Sequence, residues 1–166
     1  MLFVFFLNLN LNLNLFIFMH IHEAYDIIKE DLKSVEQEFR VNLDSGVYLI
    51  RKVGEYILNN GGKRFRPSLL LLSARLCGYH GKRNIPLAAV VEFIHTATLL
   101  HDDVIDNASM RRGKTSANTL WGSGASILIG DFLFSKSFCL TVADGDLRIL
   151  KVLSGTTTQM AEGEVL

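Results

Sequence analysis

The chain has 166 residues, 49% of them hydrophobic, which is enough for one ordinary domain with a sizeable core. Its 17 basic residues balance 17 acidic ones, so no overall charge attracts nucleic acid or an anionic membrane, and any anion site must be local. Cys77 and Cys139 have neither metal-ligand spacing nor a disulfide framework around them. We therefore expect two buried free thiols in a reducing, cytoplasmic compartment.

Residues 1–21 form a low-complexity leader that is distinct from the domain predicted over residues 22–166. Leucine and asparagine alternate over residues 7–15, and asparagines on all sides of a helix would weaken its insertion into a membrane. The leader also lacks the positive start of a signal peptide, because no Lys or Arg precedes Lys29. We interpret it as unstructured or spuriously translated, with Met19 as the true start, and a membrane anchor is the alternative.

Apolar residues recur at helical spacing after the leader, which predicts a series of packed helices. In chain order, the helices are predicted over residues 24–39, 47–57, 67–76, 87–106, 120–142 and 147–166. The second ends at the Asn-Asn-Gly-Gly run of residues 59–62, which is a strong break. Pro67 opens the third, because its missing N–H costs nothing in a first turn, and this helix is apolar on nearly every side, which predicts a central position.

The remaining helices complete an all-α prediction. The fifth contains Gly122, Gly124 and Gly130, which close helix packing would explain. The sixth ends without a cap, and we expect the chain to be cut within an element. Outside the leader, no segment has the alternation and turn punctuation that strands require, so the predicted fold class is all-α.

The strongest chemical signal is an aspartate-rich stretch at the end of the fourth helix. His95, Asp102 and Asp106 fall on one helical face, with Thr98 between them. The two aspartates are like charges one turn apart at the negative end of the helix dipole, and Asp103 adds to the repulsion, so a cation should compensate. Hard oxygen ligands without cysteine suit Mg²⁺, which takes one or two carboxylates together with water and phosphate oxygens.

Two basic clusters complement these carboxylates. Arg111 and Arg112 follow the aspartates closely, and their guanidinium groups suit bidentate contact with the same diphosphate. Lys63, Arg64 and Arg66 lie in the Gly-Gly loop, where flexible backbone and helix-start N–H groups can converge on an anion. The alternatives are a solvated acidic helix end that merely pairs with the first cluster, and a surface basic turn for the second.

Four motifs stand in order along the chain. They read Gly-Gly-Lys-Arg-Phe-Arg-Pro at residues 61–67, Glu-Phe-Ile-His-Thr-Ala-Thr-Leu-Leu-His-Asp-Asp-Val-Ile-Asp at residues 92–106, Met-Arg-Arg-Gly at residues 110–113 and Gly-Asp-Phe-Leu at residues 130–133. In this order they resemble the trans-isoprenyl diphosphate synthases, the polyprenyl synthetase family, from about Ala24 to the last residue. The resemblance implies an orthogonally packed helical bundle that acts as a homodimer, with its substrates in a deep cavity between helices.

The resemblance also implies roles for individual residues. Asp102 and Asp106 match the family's Mg²⁺ ligands, and Arg111 matches its contact to the allylic diphosphate. The residues that match the isopentenyl diphosphate pocket are Lys63, Arg66, His95 and Arg112. In the implied reaction, Mg²⁺ and Arg111 stabilise the departing diphosphate, the isopentenyl double bond attacks the allylic carbocation, and proton loss completes one elongation. A core histidine with satisfied hydrogen bonds is the alternative for His95.

Product length in this family depends on the residues four and five positions before the first aspartate, which help to form the cavity floor. Here they are Thr98 and Ala97, and neither is aromatic. The resemblance therefore favours a long, octaprenyl-like product, as in the biosynthesis of quinone side chains, over a farnesyl product.

One expected part of the family pattern does not occur, because no other Asp-Asp pair follows Asp103. The resemblance thus implies a fragment of a prenyltransferase with half of its metal site. A non-catalytic subunit that binds a diphosphate or pairs with a complete synthase is the first alternative. A class I terpene cyclase ranks lowest, since it has no need for a second diphosphate pocket such as Lys63 and Arg66 suggest. The location is expected to be cytoplasmic, with peripheral membrane association through the product or leader as the alternative.

Overall fold

The structure is a computed structural model that describes residues 3–4, 18–19, 21–60 and 62–166. Within these ranges the chain is almost entirely helical, as the all-α prediction requires. The helices are α1 (Ile21–Ile27), α2 (Lys29–Leu43), α3 (Tyr48–Asn59), α4 (Phe65–Leu76), α5 (Asn84–Ile105), α6 (Ala117–Trp121), α7 (Ser123–Asp144) and α8 (Leu147–Val165). The predicted all-α fold class is confirmed.

In the described part of the chain, four two-residue strands form two antiparallel pairs. β1 (Phe3–Val4) pairs with β2 (Phe18–Met19), and β3 (Met110–Arg111) pairs with β4 (Lys114–Thr115). The sequence pattern does not predict β3 and β4, because strands of two residues leave no visible alternation. Apart from β1 and β2, the prediction of an unstructured or spurious leader lies outside the described residues.

The first predicted helix is divided in two at Ile28. This residue has φ −112° and ψ 10°, so α1 ends before it and α2 begins after it. Ile28 is fully buried, as are Val35 and Phe39 farther along the same apolar stripe. The stripe continues across the break because all three side chains enter one core, which is why apolar spacing alone predicts a single helix.

The central helix is α5, which packs against α7, α4 and α2. Small residues such as Ala88 and Ala89 are fully buried on it, and the rings of Phe39 and Phe93 lie 4.3 Å apart between centroids. The prediction that the third helix is central is wrong. That helix, α4, buries Leu71 but leaves other apolar side chains of its outer face exposed.

Helix α7 lies along α5 and has a buried and an exposed face. Gly130 is on the buried face, and a β-carbon there would overlap the imidazole of His101, so the prediction of close packing is confirmed for this glycine. It is wrong for Gly122, whose φ of 86° separates α6 from α7, and for Gly124, which has open space around it. By length and composition α7 could also cross a membrane, but core helices of globular proteins meet the same criteria.

Both cysteines are free and exposed, which corrects the prediction of buried thiols. Cys77 follows the last turn of α4 as its C-cap, and Cys139 lies on the exposed face of α7. The position of each residue on its helix outweighs the general tendency of cysteine to be buried.

Candidate active site

The last turn of α5 carries carboxylates in two different environments. Asp102 is half-buried, and Asp106 is the exposed C-cap whose N–H donates to the Asp102 carbonyl at 2.8 Å. Among residues 21–60 and 62–166, neither carboxylate has a hydrogen-bond or ion-pair partner. The C-terminal end of a helix dipole favours positive charge. This pair of carboxylates, one turn apart, therefore attracts a cation.

Asp103 is turned into the protein and is 2% exposed. Its Oδ1 accepts a hydrogen bond from Nε of Arg111 at 2.5 Å, and its carbonyl accepts one from Nδ2 of Asn118 at 2.8 Å. The sequence alone suggested a third repelling carboxylate at this position. In the fold, Asp103 instead anchors the arginine that follows the helix.

The two arginines lie in a tight hairpin. Arg112 and Gly113 join β3 to β4 with φ of 52° and 76°, the left-handed conformation that a two-residue hairpin turn requires. The hydroxyl of Tyr56, on α3, donates to the carbonyl of Thr115. The hairpin is therefore fixed by α5 on one side, through Arg111, and by α3 on the other.

The basic loop before α4 meets this hairpin at Gly62. A β-carbon at Gly62 would overlap the guanidinium of Arg112, so glycine at this position allows the guanidinium to lie close to the loop backbone. Lys63 and Arg66 are exposed, and the hydroxyl of Tyr25 donates to the Lys63 carbonyl at 3.0 Å. The fold thus brings Lys63, Arg66 and Arg112 to neighbouring positions although they are far apart in the sequence.

Arg64, the middle member of the predicted basic cluster, does not join them. It is 8% exposed and donates to Oε1 of Glu92 at 3.3 Å in the interior. Lys63 and Arg66 are therefore the members of this cluster that are exposed at the surface, whereas Arg64 lines an internal pocket together with His95.

His95 lies between the two basic groups. Its Nε2 is buried and has no hydrogen-bond partner within the described part of the chain. Burial, followed by the positive charges of Arg66, Arg112 and Arg111, lowers the pKa of His95 to about 4. The ring is neutral near pH 7, and the hydrogen-bonding capacity of Nε2 is unused within the described part of the chain.

Two cavities meet at His95. The first, here called the cationic pocket, has a volume of about 120 Å³ and lies between α3, α5 and the hairpin, with Arg111 and Arg112 in its wall. The second, here called the apolar cavity, has a volume of about 280 Å³ and lies between α4, α5 and α8. Its lining combines Arg66 and His95 with side chains such as Leu70, Ile94 and Leu153. Such an arrangement suits a molecule that has an anionic head and a hydrocarbon tail.

A family model described as Polyprenyl synthetase matches residues 47–166, well over half of the chain. The chain belongs to the polyprenyl synthetase family. This confirms the resemblance that the four motifs indicated.

Members of the polyprenyl synthetase family with known activities or structures match the same part of the fold. The octaprenyl diphosphate synthase of Escherichia coli (strain K12) is 44% identical over 146 residues, which are 88% of this chain and 45% of the relative. A decaprenyl diphosphate synthase from Rhodobacter capsulatus has a TM-score of 0.82 and 43% identity, covering 87% of this chain and 45% of that structure. A polyprenyl synthase from Caulobacter crescentus CB15, complexed with calcium and isoprenyl diphosphate, has a TM-score of 0.85 and 40% identity, covering 88% and 44%. The chain spans less than half the length of these relatives.

The donor set of this polyprenyl synthetase chain fits a hard divalent cation. Within the described ranges, no group of three His, Cys, Asp or Glu side chains is arranged to hold a metal. Asp102 and Asp106 offer two carboxylates that the fold leaves unpaired, and water and phosphate oxygens would complete the coordination, as is usual for Mg²⁺. The residues present therefore fit one side of a metal site.

The residues proposed to set product length lie apart from both cavities. Ala97 is 1% exposed in the core, and Thr98 donates its hydroxyl to the His95 carbonyl at 2.8 Å. Neither lines the cationic pocket or the apolar cavity. Their role in product length stays a prediction.

Sequence reasoning missed the residues that hold the site in place. Tyr56 donates to the Thr115 carbonyl in the hairpin, and Asn118 donates to the Asp103 carbonyl at the end of α5. Glu92 pairs with Arg64. For Glu92 a signal was available, because a single acid within the apolar run of the fourth predicted helix indicates a buried partner. Tyr56 and Asn118 bond backbone atoms, and such contacts leave no pattern in the sequence.

Proposed function

We propose that the chain is the diphosphate-binding part of a prenyltransferase. The reaction condenses isopentenyl diphosphate with an allylic prenyl diphosphate to give a long-chain polyprenyl diphosphate, of the kind used for quinone side chains. The observation that carries the proposal is the meeting of the cationic pocket and the apolar cavity at His95. The octaprenyl and decaprenyl products in the names of the relatives support a long product.

In this proposal the allylic diphosphate lies between the aspartates and Arg111. Asp102 and Asp106 would hold Mg²⁺, which supplies Lewis-acid stabilisation of a departing diphosphate when it is bound. Arg111 bonds Asp103 through Nε, which leaves its two terminal nitrogens to donate to the same leaving group. Cleavage of the C–O bond leaves an allylic carbocation. The isopentenyl double bond attacks this cation, and loss of a proton restores a double bond.

The isopentenyl diphosphate has its own binding groups. Lys63, Arg66 and Arg112 offer positive charge, and neutral His95 offers a hydrogen bond without adding to the repulsion among them. Because these groups are separate from the aspartates, each diphosphate has its own site. This separation argues against a terpene cyclase, which handles a single diphosphate.

The test is calorimetric titration of the purified chain with each diphosphate, with and without Mg²⁺. We expect Asp102→Ala to abolish Mg²⁺-dependent binding of geranyl diphosphate and to leave binding of isopentenyl diphosphate unchanged. Lys63→Ala should abolish binding of isopentenyl diphosphate and leave Mg²⁺-dependent binding of geranyl diphosphate unchanged. Failure of the wild-type chain to bind either compound would contradict the proposal.

A non-catalytic subunit is the second candidate, because a relative that is 35% identical over 141 residues is a heptaprenyl diphosphate synthase component 2. Incorporation of labelled isopentenyl diphosphate by the purified chain separates the two candidates. Mg²⁺-dependent incorporation that is lost in Asp102→Ala supports the enzyme. Binding without incorporation, restored by a complete synthase added in trans, supports the subunit.

We also propose a cytoplasmic location and pairing of the chain, either with a second copy or with a complete synthase. The two free cysteines are compatible with a reducing compartment. Comparison of membrane and soluble fractions for the full chain and for a form that starts at Met19 tests the location. Recovery of only the longer form with membranes would contradict a cytoplasmic protein.

A further inference from the structure

Arg64 has an unusual position for a residue of a substrate-binding loop. It precedes α4 as the N-cap with φ 50° and ψ 39°, the left-handed conformation that is unfavourable for a residue with a β-carbon. This conformation turns the side chain inward, while Lys63 and Arg66 on either side stay exposed. The backbone of the loop is thus shaped around a buried arginine.

The buried guanidinium is held by three neighbours. Nη1 lies 3.3 Å from Oε1 of Glu92, itself 6% exposed, and Nε lies 3.7 Å from Oε1 of Glu36. The guanidinium carbon lies 5.2 Å from the centre of the Phe39 ring. A buried charge requires partners of this kind. These contacts tie the loop to α5 and α2.

The same ion pair fixes the distance between the loop and the substrate-binding face of α5. Glu92 lies one turn before His95 on that helix, and Arg64 lies two residues before Arg66. The Arg64 carbonyl also accepts hydrogen bonds from the N–H of Ser68 at 3.0 Å and from its hydroxyl at 2.8 Å, which begins α4 at this point. Movement of Arg64 would therefore move Arg66 relative to His95.

We propose that Arg64 is a positioning residue, whose buried pair with Glu92 holds Lys63 and Arg66 where they can bind the diphosphate of the isopentenyl substrate. Arg64 lines the wall of the cationic pocket, and in this proposal its guanidinium stays paired with Glu92 and does not bind the diphosphate. The inference rests on the proposed function, in which these two residues bind isopentenyl diphosphate.

Four variants separate this role from direct phosphate binding and from simple stabilisation. They are Arg64→Met, Glu92→Gln, the double variant Arg64→Met/Glu92→Met and, as a matched control, Arg75→Met. Arg75 lies in the last turn of α4 and also has an ion pair to another helix, at 2.9 Å from Asp31, but it is on the surface. Each chain is measured for isopentenyl diphosphate affinity by calorimetry and for its thermal midpoint.

We expect Arg64→Met and Glu92→Gln each to weaken binding by about tenfold, the loss of roughly one good contact, and Arg75→Met to leave it unchanged. If Arg64 bound phosphate directly, Glu92→Gln would release it and binding would stay equal or become tighter, which would overturn the proposal.

In the double variant, apolar groups replace a buried ion pair, so the thermal midpoint should recover while the affinity stays low. Recovery of both the thermal midpoint and the affinity in the double variant would show that the ion pair only stabilises the fold, which would contradict a positioning role. Should Arg64→Met fail to fold, the affinity of Glu92→Gln decides between the two roles, because in that variant Arg64 keeps its ion pair with Glu36.

Hydrogen exchange of the Ser68 amide gives a test that needs no ligand. This amide donates to the Arg64 carbonyl, so it reports on opening of the loop. Faster exchange in Arg64→Met than in Arg75→Met supports positioning, and equal exchange contradicts it. If the wild-type chain binds no isopentenyl diphosphate, the proposed function fails while this measurement still decides the role of Arg64.

Discussion

Adjacent aspartates on α5 have different surroundings because successive side chains leave a helix in different directions. Asp103 enters the interior and bonds Arg111, whereas Asp102 shares a face with Asp106, and neither of these two has a partner among the residues that the structure describes. The acidic run therefore combines one anchor with two carboxylates available to a cation. The anchor, Asp103, holds Arg111, and in the proposed function Arg111 and the metal bind the same diphosphate.

Substitution of single aspartates should separate stability from binding. Asp103→Ala leaves Arg111 without its partner, and we expect the free energy of unfolding to fall by about 1–3 kcal/mol. Asp106→Asn removes an exposed negative charge from a helix end, so the free energy of unfolding should stay within about 0.5 kcal/mol of wild type. Urea unfolding measures both. Mg²⁺-dependent binding of geranyl diphosphate should fall in Asp106→Asn, and equal stability of the two variants would contradict the assignment of Asp103.

The depressed pKa of His95 makes stability depend on pH. The folded value is about 4 against the ordinary value of 6.5, so between these values the unfolded chain binds the proton more readily. The contribution of His95 to the free energy of unfolding is complete above pH 6.5 and is lost as the pH falls towards 4. Urea unfolding at pH 7 and pH 5 should therefore show a smaller loss of stability in His95→Gln than in wild type.

The control for this pH dependence is His80→Gln, since His80 is exposed on a loop. Its loss of stability between pH 7 and pH 5 should equal that of wild type. Identical behaviour of His95→Gln and His80→Gln would contradict a buried, neutral His95.

At the scale of elements, α5 and α7 approach each other closely at a glycine. Gly130 faces His101, whose Nε2 lies 3.2 Å from the Ile127 carbonyl oxygen and 3.4 Å from Oδ1 of Asp131. Any side chain at position 130 would push the imidazole away from these oxygens. The turn of α5 that carries Asp102 directly follows His101, so this packing supports the end of the helix where a metal is proposed to bind.

Two glycines of α7 should respond to alanine in opposite directions. Gly130→Ala forces His101 to move, and overpacking of this kind costs about 1–3 kcal/mol of unfolding free energy. Gly124→Ala has open space and a helical backbone, so it should gain about 0.5–1 kcal/mol. Chemical denaturation of both variants is the measurement. A gain for Gly130→Ala would contradict the packing described here.

The sequence predicts the helices well because their apolar faces repeat at a regular spacing and their ends carry glycine and proline. The break at Ile28 and the hairpin at Arg111 are not predictable in this way, since both depend on tertiary contacts. For the candidate site, the motifs identify the charged residues but not their directions. Arg64 and Arg66 are two residues apart, yet only a left-handed backbone and a buried Glu92 decide that one is internal and the other exposed.

At the scale of the whole molecule, α7 has an exposed apolar side. On α7, Leu128 is 67% exposed and Val142 is 64% exposed, and α8 has no buried residue. Apolar surface of this extent is typical of a contact surface. In the proposed assembly a second polyprenyl synthetase chain covers part of it.

A charge on this side should separate the paired chains. We expect the wild-type chain to sediment as a dimer at micromolar concentration and Val142→Glu to sediment as a monomer, because burial of an unpaired carboxylate opposes association. Val41→Glu is the matched control, since Val41 is 60% exposed on α2, away from this side. Analytical ultracentrifugation gives the masses. A dimeric Val142→Glu, or a monomeric wild type, would contradict pairing through α7.

The short hairpin has a consequence for how the molecule meets its ligand. Because Asp103 and Tyr56 hold its two strands before any ligand arrives, Arg111 loses most of its freedom when the protein folds. Little further ordering entropy then opposes the encounter with a diphosphate, so a larger share of the contact energy remains as affinity. Preorganisation of this kind links the rigidity of a four-residue turn to the strength of recognition.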